Sequence, residues 1–132
     1  MKKILFVCTG NSCRSQMAEG LAKHIGWDAY SAGTKPEIKV NPNAIKAMAE
    51  INLDISNHYP KLVEEIELYK MDVIMTVCSN ANENCPVFHG FKGKKIHNSF
   101  DDPADAIGTD IEKLAVFCRV RDEIKDYLIK NL

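Results

Sequence analysis

The apolar run Ile4-Leu5-Phe6-Val7 has no polar alternation, so a strand with one wet face cannot carry it. It reads as a strand over residues 3 to 8 buried on both faces, the condition of a parallel sheet. Parallel neighbours need a crossover, usually a helix, and the sequence supplies one. From Arg14 to about Ile25, the residues Met17, Ala18, Leu21, Ala22 and Ile25 fall on one helical stripe, and Gly26 stands where a C-cap belongs. Trp27 to Ser31 reads as a short strand. Asn41-Pro42-Asn43 opens a second helix with Ala44, Ile45, Met48 and Ala49 on its apolar face, Leu53 to Ile55 reads as extended, and a further short helix is expected from Pro60 to Glu67. Asp72 to Val77 is the second clear buried strand. Residues 80 to 93 and 100 to 109 read as loops, with a short strand at Lys95 to His97. The longest helix starts at Asp110, its expected N-cap, with Ile111, Leu114, Phe117, Cys118, Val120, Ile124 and Leu128 on its buried side. This order predicts an α/β fold of three layers, α/β/α, around a central four-stranded parallel sheet, as a single domain over residues 1–132.

Ligands in such sheets sit beyond the carboxyl ends of the strands, and there this chain carries Cys8-Thr9-Gly10-Asn11-Ser12-Cys13-Arg14-Ser15. A thiol and a guanidinium separated by five residues can face each other across a loop whose backbone N–H groups point inward. A helix N-terminus follows directly and favours anions. The arrangement suits a tetrahedral oxyanion bound by Thr9, Gly10, Asn11, Ser12, Cys13 and Arg14, with the Cys8 sulfur underneath to attack it. Arginine's planar fork recognises oxyanions in bidentate fashion. A cysteine at a helix N-terminus beside arginine is favoured as thiolate, and Ser15 can donate a hydrogen bond to that sulfur. Gly10 permits positive φ, and Asn11 is among the few other residues that tolerate it.

With 132 residues, 45% of them hydrophobic, the chain is long enough for one core. A net charge of −1 gives no basis for nucleic acid or an anionic membrane as partner. No apolar run approaches the ~20 residues of a membrane span, and the Met-Lys-Lys start lacks the features of a signal peptide. A cytoplasmic monomer is the expectation. Five cysteines, Cys8, Cys13, Cys78, Cys85 and Cys118, are an odd number for a disulfide framework, and the histidines form no partner pair for zinc. Redox or nucleophilic thiol chemistry is the better account, with no cofactor.

The opening loop, continued by Gln16-Met17-Ala18-Glu19, resembles that of the low-molecular-weight protein tyrosine phosphatase superfamily, and within it is similar to the thioredoxin-coupled arsenate reductases. The likeness runs through Tyr30-Ser31-Ala32-Gly33, Asn41-Pro42, Asp54-Ile55-Ser56-Asn57, Thr76-Val77-Cys78-Ser79, Asn84-Cys85-Pro86, Phe100-Asp101-Asp102-Pro103-Ala104 and Arg119 to Ile124. It implies that Asp102 is the general acid that protonates the departing oxygen. It also implies a relay in which Cys8 attacks arsenate, Cys78 attacks Cys8, and Cys85 attacks Cys78. The disulfides would be Cys8–Cys78 and then Cys78–Cys85, and thioredoxin would be the reductant. Arsenate is then the substrate, with phosphate and sulfate competing. Some relatives bind potassium. Asn11, Glu19 and Ser31 match three of those positions, but Lys61 stands where an acidic ligand is expected.

Seven residues of intact helix would hold Cys78 and Cys85 about 10.5 Å apart, beyond the roughly 7 Å a disulfide tolerates. Any helix from Ser79 must therefore unwind on oxidation, and the segment is expected to be mobile and to change shape. Ala104 follows Pro103 where the phosphatases carry an aromatic residue, which favours a small inorganic anion. Cys13 and Cys118 read as packing residues. Arg119 and Arg121 read as ordinary surface pairs with Asp122 and Glu123. The alternatives are a phosphatase acting on phosphotyrosine or a small phosphomonoester, a phosphocysteine carrier, and a non-catalytic oxyanion sensor.

Overall fold

The computed structural model describes residues 2–77 and 88–132; Cys78 and Cys85, with the shape change expected of their segment, lie outside them. Four parallel strands form the sheet: β1 (Lys3–Cys8), β2 (Asp28–Gly33), β3 (Val73–Thr76) and β4 (Lys94–His97), in the spatial order β2-β1-β3-β4. Among the described residues the α-helices are α1 (Arg14–Ile25), α2 (Pro42–Ala49) and α3 (Asp110–Asn131). Strand β1 lies between β2 and β3, with Cys8 level with Gly33 and Val7 level with Thr76. It is buried along its length after Lys3, as its unbroken apolar run requires.

Alternate residues of β1 feed two cores. Ile4, Phe6 and Cys8 face the helices and pack with Met17, Leu21, Met48, Phe117, Ile124 and Leu128. Leu5 and Val7 face the other way, toward Ala32, Val63, Met71 and Ile74. Among the described residues that second layer is built of short 3-10 turns, Val63–Glu65 and Leu68–Lys70, with Phe88 and Phe91 packed against it. Burial of these side chains stabilises the fold by roughly 1.5–3 kcal/mol each before entropy is set against it.

Three local expectations are corrected. The helix expected from Pro60 to Glu67 is a single 3-10 turn followed by extended Ile66. The Lys61 carbonyl accepts from the Gly33 N–H at 2.8 Å, and Leu62 bridges to Gly33, so the chain is held extended until Val63. The N-cap of α3 is Thr109, not Asp110: its hydroxyl accepts from the Glu112 N–H, and the Glu112 carboxylate accepts from the Thr109 N–H, a reciprocal capping box. On α3, Ile111 is 83% exposed and Cys118 only half-buried. At 3.6 residues per turn both fall about 100° or more from the stripe centred on Phe117, Val120, Ile124 and Leu128. Arg121 keeps the expected pair with Asp122, its Nη2 2.8 Å from Asp122 Oδ1, but is itself buried; its Nη1 donates to the Ala47 carbonyl at 2.7 Å, where the last turn of α2 leaves acceptors open.

Strand β2 runs two residues further than expected, to Gly33, which positions the site. A Cβ there would stand 2.5 Å from the Thr9 carbonyl oxygen, so only glycine lets the β2 end close against the loop. Strand β4 is an outer edge of four residues, with Lys94, Lys95 and His97 exposed. Thr109→Ala removes one half of the capping box and should lower unfolding stability by about 1 kcal/mol, read as a shift of the urea midpoint with an unchanged slope.

Candidate active site

Residues 8 to 13 leave β1 as a loop in which six consecutive carbonyls are turned outward. The carbonyl of Cys8 accepts from the Thr34 N–H, Thr9 from Lys35, Gly10 from Glu37, Ser12 from Asn41 and Cys13 from Met17. That of Asn11 accepts from the Gln16 Nε2 amide at 3.1 Å. In a trans peptide the C=O and the following N–H point in opposite directions. The amides from Gly10 to Arg14 therefore point to the inner side of the loop. Asn11 confirms the direction: its N–H donates to Cys8 Sγ at 3.2 Å. It is Asn11, at φ 51, that adopts the left-handed conformation, and not Gly10. At Gly10 the missing Cβ serves close approach, since one would stand 3.1 Å from Glu37 Cγ.

The loop closes a cup of about 260 Å³ lined by Cys8 to Arg14, Lys35, Glu37, Asp102 and Ala104. Every residue expected to bind the oxyanion is in it, together with Asp102. The Cys8 sulfur is 2.8 Å from Ser15 Oγ, the neighbour expected for Ser15. Arg14 is 3% exposed and its guanidinium is aimed by backbone: Nη1 donates to the carbonyls of Val77 at 3.3 Å and Phe100 at 3.2 Å. Its Nη2 stands 3.6 Å from Asp102 Oδ2. The other Asp102 oxygen accepts from the Ala104 N–H at 3.0 Å, so the short 3-10 turn Pro103–Asp105 fixes the acid at the rim. Asp101 turns outward to Arg119 at 3.1 Å.

The two thiols of the loop differ. Cys13 packs in the helical core, and burial pushes its pKa from near 9 up to about 12, so it keeps its proton at neutral pH. Cys118 lies outside the site, its Sγ 3.5 Å from both Glu50 carboxylate oxygens. Cys78 and Cys85 are outside the described residues. Val77, which precedes Cys78, is the residue whose carbonyl Arg14 holds.

Beneath the cup, Asn11, Glu19 and Ser31 come together as expected, but with Lys61 among them. Asn11 Oδ1 accepts from the Lys61 N–H at 3.0 Å, Asn11 Nδ2 donates to Ser15 Oγ at 2.8 Å, and Ser31 Oγ donates to Glu19 Oε1 at 2.6 Å. Gln16 ties the segment carrying Lys61 to the loop: besides Asn11, its Nε2 reaches the Tyr59 carbonyl, and its Oε1 lies 3.0 Å from His58 Nδ1. Gln16 belongs to the matched opening motif but carried no expected role, and Lys35, Glu37 and His58 lie outside the matched motifs. Only the place of the last three within four residues of a matched motif could have marked them.

The chain belongs to the low molecular weight phosphotyrosine protein phosphatase family, whose sequence profile matches residues 3–132. Within that family it is 53% identical over 126 residues to an arsenate reductase of Halalkalibacterium halodurans, covering 93% of this chain and 89% of the relative. A solved arsenate reductase in the phosphate binding state superposes with a TM-score of 0.81 at 33% identity, covering 98% of this chain and 95% of that one. A low molecular weight protein tyrosine phosphatase from T. tengcongensis superposes with a TM-score of 0.70 at 27% identity, over all of both chains. No helix among the described residues is long and apolar enough to cross a membrane.

Two outcomes are expected. Cys13 has a pKa raised in the folded state, so its contribution to stability is complete below pH 9 and is lost as pH rises through about 12. Cys13→Ala should flatten the alkaline fall of the unfolding free energy across that window. Gly33→Ala forces a Cβ against the Thr9 carbonyl and should cost about 1–3 kcal/mol of stability while weakening phosphate binding by calorimetry.

Proposed function

We propose that this chain reduces arsenate to arsenite through a relay of three of its own thiols, two of which supply the electrons, and is regenerated by thioredoxin in the cytoplasm. Cys8 attacks the arsenic of an arsenate held by the loop amides and Arg14, and Asp102 gives its proton to the oxygen that leaves as water. Cys78 then attacks the Cys8 sulfur. The electron pair of the sulfur–arsenic bond stays with arsenic, which departs as arsenite, and a Cys8–Cys78 disulfide remains. Cys85 attacks Cys78, releasing the Cys8 thiolate and leaving a Cys78–Cys85 disulfide for the dithiol of thioredoxin to reduce. Two thiols lose two electrons, and arsenic gains two.

The observation that carries the reading is the placement of Cys8 Sγ, bonded to Ser15 Oγ and the Asn11 N–H, at the base of a cup whose Arg14 also grips Val77, the residue before Cys78. The second thiol is thus attached to a residue that the oxyanion-binding arginine already holds. Likeness to arsenate reductases over most of the chain supports the same reading. Hydrolysis of a small phosphomonoester is the second reading, favoured by family membership and served by the same cup. A tyrosyl substrate is disfavoured, because among the described residues Ala104 and no aromatic ring lines the cup.

The test is arsenate turnover coupled to thioredoxin, thioredoxin reductase and NADPH. Cys85→Ser should release about one arsenite per chain and then stop, trapped as Cys8–Cys78 and visible by mass spectrometry. Cys78→Ser should release none. Multiple turnover that survives both substitutions would defeat the relay.

A further inference from the structure

The polar cluster beneath the cup is an oxygen cage: the Asn11 amide oxygen, the Glu19 carboxylate, and the Ser31 hydroxyl and carbonyl. Asn11 and Ser31 are fully buried and Glu19 is 5% exposed. Such a set suits a desolvated monovalent cation, yet the Asn11, Glu19 and Ser31 carbonyl oxygens already meet protein donors and the Ser31 hydroxyl is itself committed to Glu19. Lys61 Nζ donates to the Ser31 carbonyl at 3.1 Å and the Lys61 N–H to Asn11 Oδ1 at 3.0 Å. Glu19 Oε1 accepts from the Ser31 hydroxyl, and Oε2 pairs with Lys23 at 2.7 Å, with His58 Nε2 at 3.4 Å. A potassium ion would have to displace these donors, so the residues present do not fit it.

We propose that Lys61 is a positioning residue whose ammonium serves as the resident cation of this cage and holds the anion loop in its binding shape, so that no dissolved cation is needed. The ammonium is fixed from three sides: by the Ser31 carbonyl, by the face of the Tyr59 ring 4.7 Å from Nζ, and by the field of Glu19. Burial lowers the Lys61 pKa and Glu19 opposes that fall, as for a charge retained in a half-buried place. Through its main chain the same residue bonds the loop at Asn11 and the β2 end at Gly33. Asn11 in turn holds its left-handed turn, Ser15 and the Cys8 sulfur. Anchoring the side chain therefore anchors the geometry of the cup. A cavity of about 300 Å³ lined by Glu19, Lys23, Asn57, His58, Tyr59 and Lys61 among others adjoins the cage, and it gives a small cation a way in once the side chain is shortened.

The proposal rests on the cup as an anion site, which reduction and hydrolysis share, so it is tested by binding alone. Inorganic phosphate is titrated calorimetrically into wild type and Lys61→Met at equal ionic strength in choline, potassium or ammonium chloride. Wild-type affinity should be the same in all three salts. Lys61→Met should bind about tenfold more weakly in choline, the scale of one charge-assisted contact, and recover at least about threefold in ammonium or potassium with a parallel rise in Tm. A variant that binds as wild type in choline, or one whose loss persists in every salt, overturns the proposal. If Lys61→Met does not fold, the wild-type arm decides: tighter phosphate binding or a higher Tm on replacing choline by potassium overturns it. A wild-type chain that binds no phosphate at all overturns the cup first.

Discussion

Six adjacent peptide groups with their oxygens turned away from one another's amides determine what this molecule can bind. Each outward carbonyl between Cys8 and Cys13 needs a donor, and the chain after β2 together with Gln16 and Met17 of α1 supplies all six. The inner amides are thereby turned toward whatever enters the cup, and that of Asn11 also meets the Cys8 sulfur. The parallel pairing of β1 with β2 is what brings those donors into place, since it sets Cys8 level with Gly33. A preorganised ring of dipoles stabilises negative charge without reorganising when the charge arrives. The sheet thus contributes to chemistry by setting the direction of amides, although none of its interior residues touches the cup.

The same loop separates two sulfurs that the sequence makes look equivalent. Cys8 stands at a strand end with an N–H and a hydroxyl directed at its sulfur. Cys13 stands at the helix start with its side chain in the apolar core, where ionisation is opposed by burial. Five positions of chain, on either side of one turn, are enough to give one thiol hydrogen-bonding partners at the base of the cup and make the other a packing group.

What the sequence told in advance was whatever one element determines alone. The unbroken apolar run fixed β1, and Met17, Ala18, Leu21 and Ala22 at helical spacing fixed α1, whose bounds and Gly26 cap were as expected. The loop residues and Asp102 were legible because motif and position coincide. Contacts between distant segments were not. The 60–67 stretch has helical composition, but the Gly33 N–H claims its Lys61 carbonyl. Arg121 looks like a surface residue among Asp122 and Glu123, yet the end of α2 draws it inward. Thr109 and Asp110 are both good caps, and the choice turned on Glu112, three residues after Thr109. The strapping of the loop by Gln16, His58 and Lys61 depends on three segments meeting and leaves no local mark.

Among the described residues the sheet ends on its outer side at β4, four residues long, with two lysines and a histidine facing water. An open row of backbone donors and acceptors invites another chain to add a strand, and short, lysine-bearing edges oppose that addition. At the opposite side, Leu62 bridges to Gly33 and occupies the end of β2 nearest the cup. A second copy cannot extend the sheet beside the pocket without expelling Leu62, nor join β4 without bringing like charges together. The fold thereby resists the fibrous polymerisation to which bare sheet margins are prone.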